Sequence, residues 1–533
     1  MSEQALKPDA PGEGALGHRQ IMLVVYGLML GMLLAALDMT IMGTATKTIA
    51  DELHGQTIQA WVTTAYLITS TIATPLYGKL SDIYGRKPMY LTAILLFLVG
   101  SVLAGIANSM YELAAFRAVQ GLGAGGLMSL ALAIIADMVS PRERSRYQGY
   151  FMSVWGLSSV AGPVVGGFFA GVDTFAGIDG WRWVFLVNVP VGIVALIVVT
   201  RYLNLPHRRV DHRIDYWGAA ALTLGVVPLL IVAEQGREWG WDSGRAILMY
   251  ASGVIGLALF VFVERRMGDE ALIPLRLFKF SVFSLSNAVN FVMGLGMFGM
   301  MMSLPLYLQI VKGASPTEAG LLSLPMTVGI MTTAMGSGVV ISRTGRYKVF
   351  PIVGLGIMSA SMFLFGQIGT DTPLWHTMLI MVLAGAGLGL CMQTLVLAVQ
   401  NVVPPKDMGV ATSSATFFRS IGGTVGTAVF LSMLFTVVID RLAGLAGPRA
   451  GAIDLNDTSF LEQMSPEQKR PILDAFSHGI DVVFTVGGFV VLVAFVMIWF
   501  LKEVPLSMKS GLERRADEDG QKSEPAATAT PVS

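Results

Sequence analysis

The sequence predicts an all-α membrane protein with fourteen transmembrane spans, in which two six-helix bundles are joined by two inserted helices. Hydrophobic residues make up 53% of the 533 residues and charged residues only 14%, and long apolar runs recur almost to the end of the chain. A soluble domain carries about 25% charged residues. The alternating ten-residue pattern of a membrane β-barrel is not seen. This composition excludes a soluble enzyme and a nucleic-acid-binding protein.

Fourteen apolar segments account for the predicted helices in chain order. Most of them hold about 18–26 residues, enough to cross about 30 Å of hydrocarbon. The segments lie at about residues 21–43, 58–77, 89–107, 112–137, 149–171, 182–203, 217–234, 246–263, 286–310, 319–341, 350–368, 376–402, 409–438 and 479–501.

Basic residues in the loops predict the orientation of these spans. With the N-terminus in the cytoplasm, the inner segments hold 25 Lys and Arg residues and the outer segments hold 9. Cytoplasmic loops carry an excess of Lys and Arg. An even number of spans then leaves both termini cytoplasmic.

Several functions are excluded or made improbable by simple counts. Lys plus Arg and Asp plus Glu are 36 each, so no net charge attracts a polyanion such as a nucleic acid. The single cysteine, Cys391, forms neither a disulfide framework nor a cysteine metal site. No phosphate-binding G-x-x-x-x-G-K-[ST] motif is present, and the six histidines are scattered. We therefore expect no metal, no cofactor and no ATP-driven step.

An internal repeat predicts two related halves. The matched segments are 78–87 with 338–348, 162–167 with 422–426, 121–125 with 385–389, and 141–143 with 405–407. The first two pairs lie 260 residues apart and the other two 264, so spans 1–6 pair with spans 9–14. Spans 7 and 8 are an insertion. Parallel six-helix repeats with a substrate site between them are a transporter architecture.

The predicted domains follow from the spans and the repeat. They are a cytoplasmic tail (1–20), a first six-helix bundle (21–203), two inserted helices (204–263), a second six-helix bundle (264–505) with an outer loop (441–478), and a disordered cytoplasmic tail (506–533). Within the outer loop, Ser465–Gln468 has the pattern of a capping box and predicts a short helix to about Phe476.

Several motifs resemble those of one transporter family. Gly78–Lys87 reads G-x-x-x-D-x-x-G-R-K, which resembles the loop signature of the major facilitator superfamily. Leu37–Thr40 resembles the L-D-x-T signature of its fourteen-helix drug:proton antiporters. Further stretches that resemble this group are 117–123, 156–167, 181–190, 306–309 and 418–423. The resemblance implies a major facilitator fold, alternating access and a bacterial plasma membrane.

Two positions depart from the family pattern. Ile83 stands where many members of the superfamily carry Arg, so this loop is less basic than usual. The second copy of the loop has Ser342 where the first copy has Asp82. A symmetrical inner lock is therefore not expected.

Asp38 in span 1 is the strongest candidate for proton coupling. An unpaired carboxylate inside the membrane costs at least about 2.5–3.5 kcal/mol, so intramembrane carboxylates tend to be functional. Arg117 in span 4 lies at a similar depth and can pair with Asp38, directly or through Gln120 one turn away. We expect Arg117 to tune Asp38. The alternatives are a satisfied structural carboxylate and a static ion pair.

Five residues form a candidate inner gate. The resemblance implies that Arg86 binds Asp82 and Asp137 and holds the cytoplasmic face shut, while Gly78 and Gly85 allow a sharp turn between close helices. The alternative is an exposed basic loop that serves topology only.

A glycine-rich segment of span 5 and a scattered set of polar residues complete the candidates. The segment comprises Gly156, Gly162, Pro163, Gly166 and Gly167, and the resemblance implies a bend used in alternating access, with tight packing as the alternative. Arg419 in span 13 needs a partner or a polar cavity, and it is a candidate second-half counterpart for coupling, with an interhelical brace as the alternative. Possible substrate contacts are Asn287, Asn290, Gln309 and Gln393, which can equally be interhelical hydrogen-bonding groups.

The predicted function is proton-coupled efflux of drugs or other amphipathic, often cationic, small molecules across the cell membrane. A dedicated exporter of a lipid, siderophore or self-made antibiotic is the alternative within transport. A substrate sensor is disfavoured by the retained Asp38, Arg117 and Asp82, and no nucleophile–base pair supports an enzyme. The expected partners are the substrate, protons and the lipid bilayer, with the chain as a monomer.

Overall fold

The computed structural model describes residues 18–55, 58–205, 215–446, 466–511, 513 and 514. Within these ranges the chain is almost entirely helical. The α-helices are α1 (His18–Glu52), α2 (Gln59–Tyr84), α3 (Arg86–Gly105), α4 (Met110–Met138), α5 (Pro141–Ala170), α6 (Trp183–Leu186), α7 (Asn188–Tyr202), α8 (Tyr216–Trp239), α9 (Gly244–Met267), α10 (Ser281–Leu306), α11 (Pro316–Leu322), α12 (Leu324–Thr344), α13 (Val349–Phe365), α14 (Leu374–Val402), α15 (Met408–Ala446) and α16 (Pro466–Trp499).

The all-α membrane fold is confirmed, and each of the fourteen predicted spans lies on helical chain. Among the described residues, 12 helices are long and apolar enough to cross a membrane. The other two predicted spans are α2, which is rich in Thr and Ser, and α13, which has 17 residues. Which side of the membrane the termini occupy stays a prediction.

Proline explains why two spans are interrupted. Pro190 lacks the N–H group that would bond to the carbonyl of Leu186, and α6 ends at that residue before α7 begins at Asn188. Pro325 at the start of α12 separates this helix from α11 in the same way. A third irregularity is a π-helical turn, Tyr307–Val311, which follows α10.

A small hairpin precedes α6. Strand β1 (Thr174–Phe175) pairs antiparallel with β2 (Ile178–Asp179). The two residues between them, Ala176 and Gly177, both have positive φ, at 52° and 80°. Positive φ at both central positions is the geometry of the tight hairpin turns that match strand twist.

The helices pack mainly within two groups. In one group α1–α5 and α7 contact one another, and in the other α10 and α12–α16 do so, while α8 packs on α9. Separate clusters of buried apolar side chains occupy the two groups. The exact domain boundaries stay predictions.

Two seams join the groups. In one seam α5 packs against α12, and in the other α2 packs against α15. The 260-residue repeat relates α2 to α12 and α5 to α15, so the seams are equivalent under the repeat. Helix α8 contacts both α2 and α15, so the inserted pair covers the second seam.

The predicted outer loop and the predicted tail are shorter than expected. Residues 441–446 continue α15, and the helix that starts at Pro466 runs into the last span instead of ending near Phe476. Residues 447–465 and 515–533 lie outside the described residues. After the last span, residues 503–511 pack against the helices and are called here the C-terminal strap. The disorder expected from residue 506 onward is therefore wrong for residues 506–511.

The C-terminal strap links the two groups of helices. Asn401 at the end of α14 donates to the carbonyls of Val504 and Pro505, both at 3.2 Å. The Tyr347 hydroxyl accepts a hydrogen bond from the N–H of Val504 at 3.2 Å. Burial raises the pKa of this tyrosine, so its hydroxyl stays neutral in this contact. Gly511 then lies against the C-terminal end of α4 in the first group, where an added Cβ would be 3.0 Å from the carbonyl oxygen of Ala136.

Candidate functional site

Asp38 and Arg117 meet in the interior of the first group. The Arg117 guanidinium donates one N–H to Asp38 Oδ2 and another, at 2.7 Å, to Gln120 Oε1. Gln120 Nε2 donates to Asp38 Oδ1 at 2.8 Å. The three side chains are 0–1% exposed. The predicted contact is therefore present both directly and through Gln120, while its role in coupling stays a prediction.

Three further side chains complete this cluster, and the sequence did not single them out. Asn188 Nδ2 donates to Asp38 Oδ1 at 3.2 Å, and Ser101 Oγ accepts from both Gln120 and Asn188. The Tyr66 ring lies beneath the Arg117 guanidinium, 4.2 Å from its carbon atom. Asn188 lies in a stretch that resembles the family, which was a usable signal. No sequence signal pointed to Ser101 or Tyr66.

The charge balance of this cluster explains why it can be buried. A lone carboxylate or guanidinium in the membrane interior is costly, but the pair is neutral overall and hydrogen-bonded on both sides. Two polar atoms within it, Arg117 Nε and Asn188 Oδ1, have no hydrogen-bond partner among the described residues. The arrangement can therefore hold a charge pair, and a proton on Asp38 would neutralise one half of it.

The candidate gate residues also come together. Arg86 Nε donates to Asp137 Oδ2 at 2.7 Å, and Arg86 Nη2 lies 2.7 Å from Asp82 Oδ1. Both contacts pair the buried Arg86 guanidinium with a carboxylate. Arg86 also donates to Ser81 Oγ. Gly85 joins α2 to α3 with φ 97°, a conformation that favours glycine.

Asp82 connects this gate to the second group of helices, across the seam between α2 and α15. Its Oδ1 accepts the N–H of Gly409 at 3.1 Å and its Oδ2 accepts the N–H of Val410 at 3.0 Å. These N–H groups belong to the first turn of α15, where a negative charge is stabilised by the helix dipole. Gly78 makes the close approach possible, since a Cβ there would lie 2.0 Å from Ser413 Oγ.

The other seam has its own lock, built with the opposite charge. Arg142 Nε donates to the carbonyl of Ser342 at 2.7 Å, and another N–H of Arg142 reaches the carbonyl of Arg343. Ser145 Oγ donates to the carbonyl of Gly338 at 2.9 Å. A cation at the C-terminal end of α12 complements its dipole. The two locks therefore differ in chemistry, as expected from Ser342 standing at the position equivalent to Asp82. The first lock uses an acid that accepts backbone N–H groups, whereas the second uses Arg142, which donates to backbone carbonyls.

A buried arginine bridges the same end of the molecule. Arg144 donates to Gln400 Oε1 at 2.8 Å and to the carbonyl of Ala136 at 2.7 Å. Gln400 Nε2 in turn donates to Thr412 Oγ1 at 2.9 Å. The bridge joins α5 to α14 and α15. Its residues were not predicted as part of the gate.

The glycine-rich segment packs α5 against two helices. A Cβ on Gly162 would lie 2.1 Å from Thr40 Oγ1, and one on Gly166 would lie 2.3 Å from Thr44 Oγ1, both on α1. A Cβ on Gly156 would lie 2.2 Å from Met331 Sδ on α12. Gly167 differs, because a Cβ there meets open space, so the alternative of tight packing does not apply at this residue. The same segment includes Pro163, and α5 continues through it.

The remaining candidates do not join the Asp38 cluster. Asn287 and Asn290 are buried, and neither amide has a hydrogen-bond partner among the described residues. Gln393 is buried with an unpaired Oε1, and Gln309 is partly buried in the π-helical turn. Arg419 is partly buried and has no ion pair in the described part of the chain. No group of three potential metal ligands occurs in the ranges described.

Comparison with known families decides the class of protein. The family model described as "Major Facilitator Superfamily" matches residues 28–427, which is most of the chain. The chain belongs to the major facilitator superfamily. It is therefore a membrane transporter and not an enzyme.

Curated relatives and solved structures agree with this family. The multidrug transporter protein MdtP of Bacillus subtilis is 34% identical over 536 residues, covering 95% of this chain and 96% of that protein. A tetracycline resistance determinant of Streptomyces rimosus is 40% identical over 332 residues, covering 57% and 95%. The human organic anion transporter MFSD10 shares the fold, with a TM-score of 0.62 at 17% identity over 90% of this chain and 99% of that one. The resemblance to drug exporters of the superfamily is confirmed.

Proposed function

We propose that this transporter exports drugs or other amphipathic, often cationic, small molecules in exchange for protons. The observation that carries the proposal is the sealed Asp38–Arg117 pair between α1 and α4. A carboxylate inside the membrane whose charge is balanced by one arginine is a group whose charge a proton can cancel. Names of relatives such as the multidrug transporter MdtP support the substrate class.

Two helices provide paths from this pair to the seams. Helix α4 carries both Arg117 and Asp137, 20 residues or about 30 Å apart, so it links the pair to the first gate. Helix α1 carries Asp38 and, through Thr40, donates a hydrogen bond to the carbonyl of Ser158 at 3.0 Å on α5, which forms the other seam. Binding a proton at Asp38 weakens its bond to Arg117, and the two helices transmit the change.

The two gates and the orientation belong to the same proposal. We assign the gates at Arg86 and Arg142 to the cytoplasmic side, in agreement with the excess of basic residues in those loops. Both gates are closed in the described arrangement, because each seam is bonded there. Transport then requires both to open, as in alternating access. The transporter works as a monomer with cytoplasmic termini.

Dye efflux tests the proposal. Cells loaded with a cationic dye, or inverted vesicles that take up the dye from the medium, are compared for the wild-type protein and Asp38→Asn, with and without a proton uncoupler. We expect flux to collapse both with the uncoupler and with Asp38→Asn. Asp474→Asn is the matched control, since Asp474 is exposed and, among the described residues, forms a hydrogen bond only with Thr370, at 3.0 Å. Flux that survives both treatments contradicts coupling through Asp38, and wild type that moves no dye favours a dedicated exporter.

A further inference from the structure

Asn188 touches Asp38 with only half of its side-chain amide. The Nδ2 group donates to Asp38 Oδ1 at 3.2 Å and to Ser101 Oγ at 3.3 Å. The Oδ1 atom has no hydrogen-bond partner within the described residues, although Asn188 is fully buried. Buried polar atoms nearly always have a partner, so an unpaired amide oxygen beside an ionisable group needs an explanation.

The two protonation states of Asp38 need opposite partners. An ionised carboxylate only accepts hydrogen bonds, which suits the Nδ2 group that now faces it. A protonated carboxyl has an O–H group that must donate, and a facing NH2 group cannot accept that bond. A half-turn of the Asn188 amide replaces the donor with the unpaired Oδ1 acceptor. The amide thus holds a ready partner for each state.

Ser101 allows this rotation without loss of its own bonds. Its oxygen now accepts from Gln120 Nε2 at 2.7 Å and from Asn188 Nδ2. Its hydroxyl hydrogen has no acceptor in the described part of the chain, although Ser101 is fully buried. After the half-turn this hydrogen can donate to Asn188 Oδ1, because a hydroxyl both donates and accepts. Either orientation of the amide is then hydrogen-bonded to Ser101.

We propose that Asn188 is a positioning residue that responds to the protonation of Asp38 by turning its amide, so that Nδ2 faces the carboxylate and Oδ1 faces the carboxylic acid. The proposal rests on the proposed role of Asp38 as the proton-binding group. One proton binds to Asp38 and none binds to Asn188, whose amide only exchanges a donor for an acceptor. Asn188 is the first residue of α7, directly after the break at Val187. The rotation of its amide therefore couples the protonation state of Asp38 to the start of that helix.

The other polar and ionisable groups around Asp38 do not provide this exchange. Arg117 on α4 can only donate, and it stays charged in both states. Tyr66 on α2 faces Arg117 with its ring. Gln120 is already bonded through both ends of its amide, to Arg117, Asp38 and Ser101. Within the cluster, Asn188 is therefore the amide that has an unpaired acceptor among the described residues.

Infrared difference spectroscopy tests the proposal on the purified full-length transporter in lipid. The C=O band of protonated Asp38 is identified by its loss in Asp38→Asn and is titrated with pH. Asn188→Leu removes both ends of the amide and keeps the branched shape of the side chain, and Asn188→Ala does so with less steric demand if the larger leucine does not fit. Asn204→Leu is the control, since Asn204 follows the other end of α7 and bonds Lys87 at 2.7 Å.

We expect the Asn188 variants to move the Asp38 band to a different frequency and to raise its pH midpoint. The ionised state loses a charge-assisted bond and the protonated state loses a weaker neutral one, so the shift is about one pH unit, or tenfold in proton concentration. Asn204→Leu should leave both unchanged. An Asp38 band with the wild-type frequency and midpoint in both Asn188 variants overturns this inference alone. If no Asp38 band exists in the wild type, the proposed coupling fails with it.

Discussion

Replacing Asp82 with Asn should loosen the first gate by an amount that the structure allows us to estimate. The carboxylate accepts two backbone N–H groups of α15, at 3.0 and 3.1 Å, and lies 2.7 Å from Arg86 Nη2. An asparagine keeps one acceptor oxygen and presents an NH2 group where the second stood. One inter-group bond is therefore lost, together with the negative charge at the helix terminus.

A hydrogen bond to a charged group contributes about 1.5–3 kcal/mol. Because 1.36 kcal/mol is a factor of ten, losing one such bond changes the ratio of open to closed gate by roughly 10- to 150-fold. The first turn of α15 also loses a favourable charge, worth about 0.3–1 kcal/mol. The effect is large enough to populate an open form if the closed form is favoured by a few kcal/mol.

Distances between spin labels measure this change. Tyr84 and Arg346 are exposed and lie one in each group at the same end of the helices, so labelled cysteines there report the separation of the groups. The background carries Cys391→Ala, since Cys391 is the single native cysteine. Wild type should give one short distance population, and Asp82→Asn should add a longer one.

A matched control isolates the position of the charge. Asp179→Asn also neutralises an aspartate that pairs with an arginine, Arg182 at 2.8 Å, but in the β1–β2 hairpin at the opposite end of the helices. This variant should keep the wild-type distance distribution. If Asp82→Asn keeps it as well, the two bonds to α15 do not hold the gate and the reasoning is refuted.

Three further substitutions test other parts of the structure. Gly100→Ala puts a Cβ 2.5 Å from the backbone of Gln120, so α3 and α4 must separate. We expect the free energy of unfolding to fall by about 1–3 kcal/mol in a thermal-unfolding assay. An unchanged thermal midpoint would contradict the close contact. Gln400→Leu leaves a buried N–H of Arg144 without an acceptor and should cost about 2–3 kcal/mol in the same assay, whereas stability equal to wild type would mean that the bridge contributes nothing. Asn401→Leu removes three bonds to the C-terminal strap and should make the strap cleavable by protease; continued protection would show that other contacts hold it.

The sequence alone predicted most of what depends on neighbouring residues in the chain. All fourteen spans follow from local hydrophobicity, because burial in lipid acts on each segment of about 20 residues separately. The repeat, read from matching residues 260 apart, anticipated which helices are related, and the seams between α2 and α15 and between α5 and α12 agree with it. The contact of Asp38 with Arg117 followed from equal depth and opposite charge.

Only the tertiary structure decided the partners that lie far apart in the chain. Asn188 reaches Asp38 across 150 positions, Arg142 reaches Ser342 across 200, and Arg144 reaches Gln400 across 256. Hydropathy and spacing cannot predict such pairs, because a hydrogen bond depends on relative helix positions to within a few tenths of an ångström. The sequence therefore determined the helices and the family, while the packing of those helices determined which polar side chains meet at the proposed proton site and at the gates.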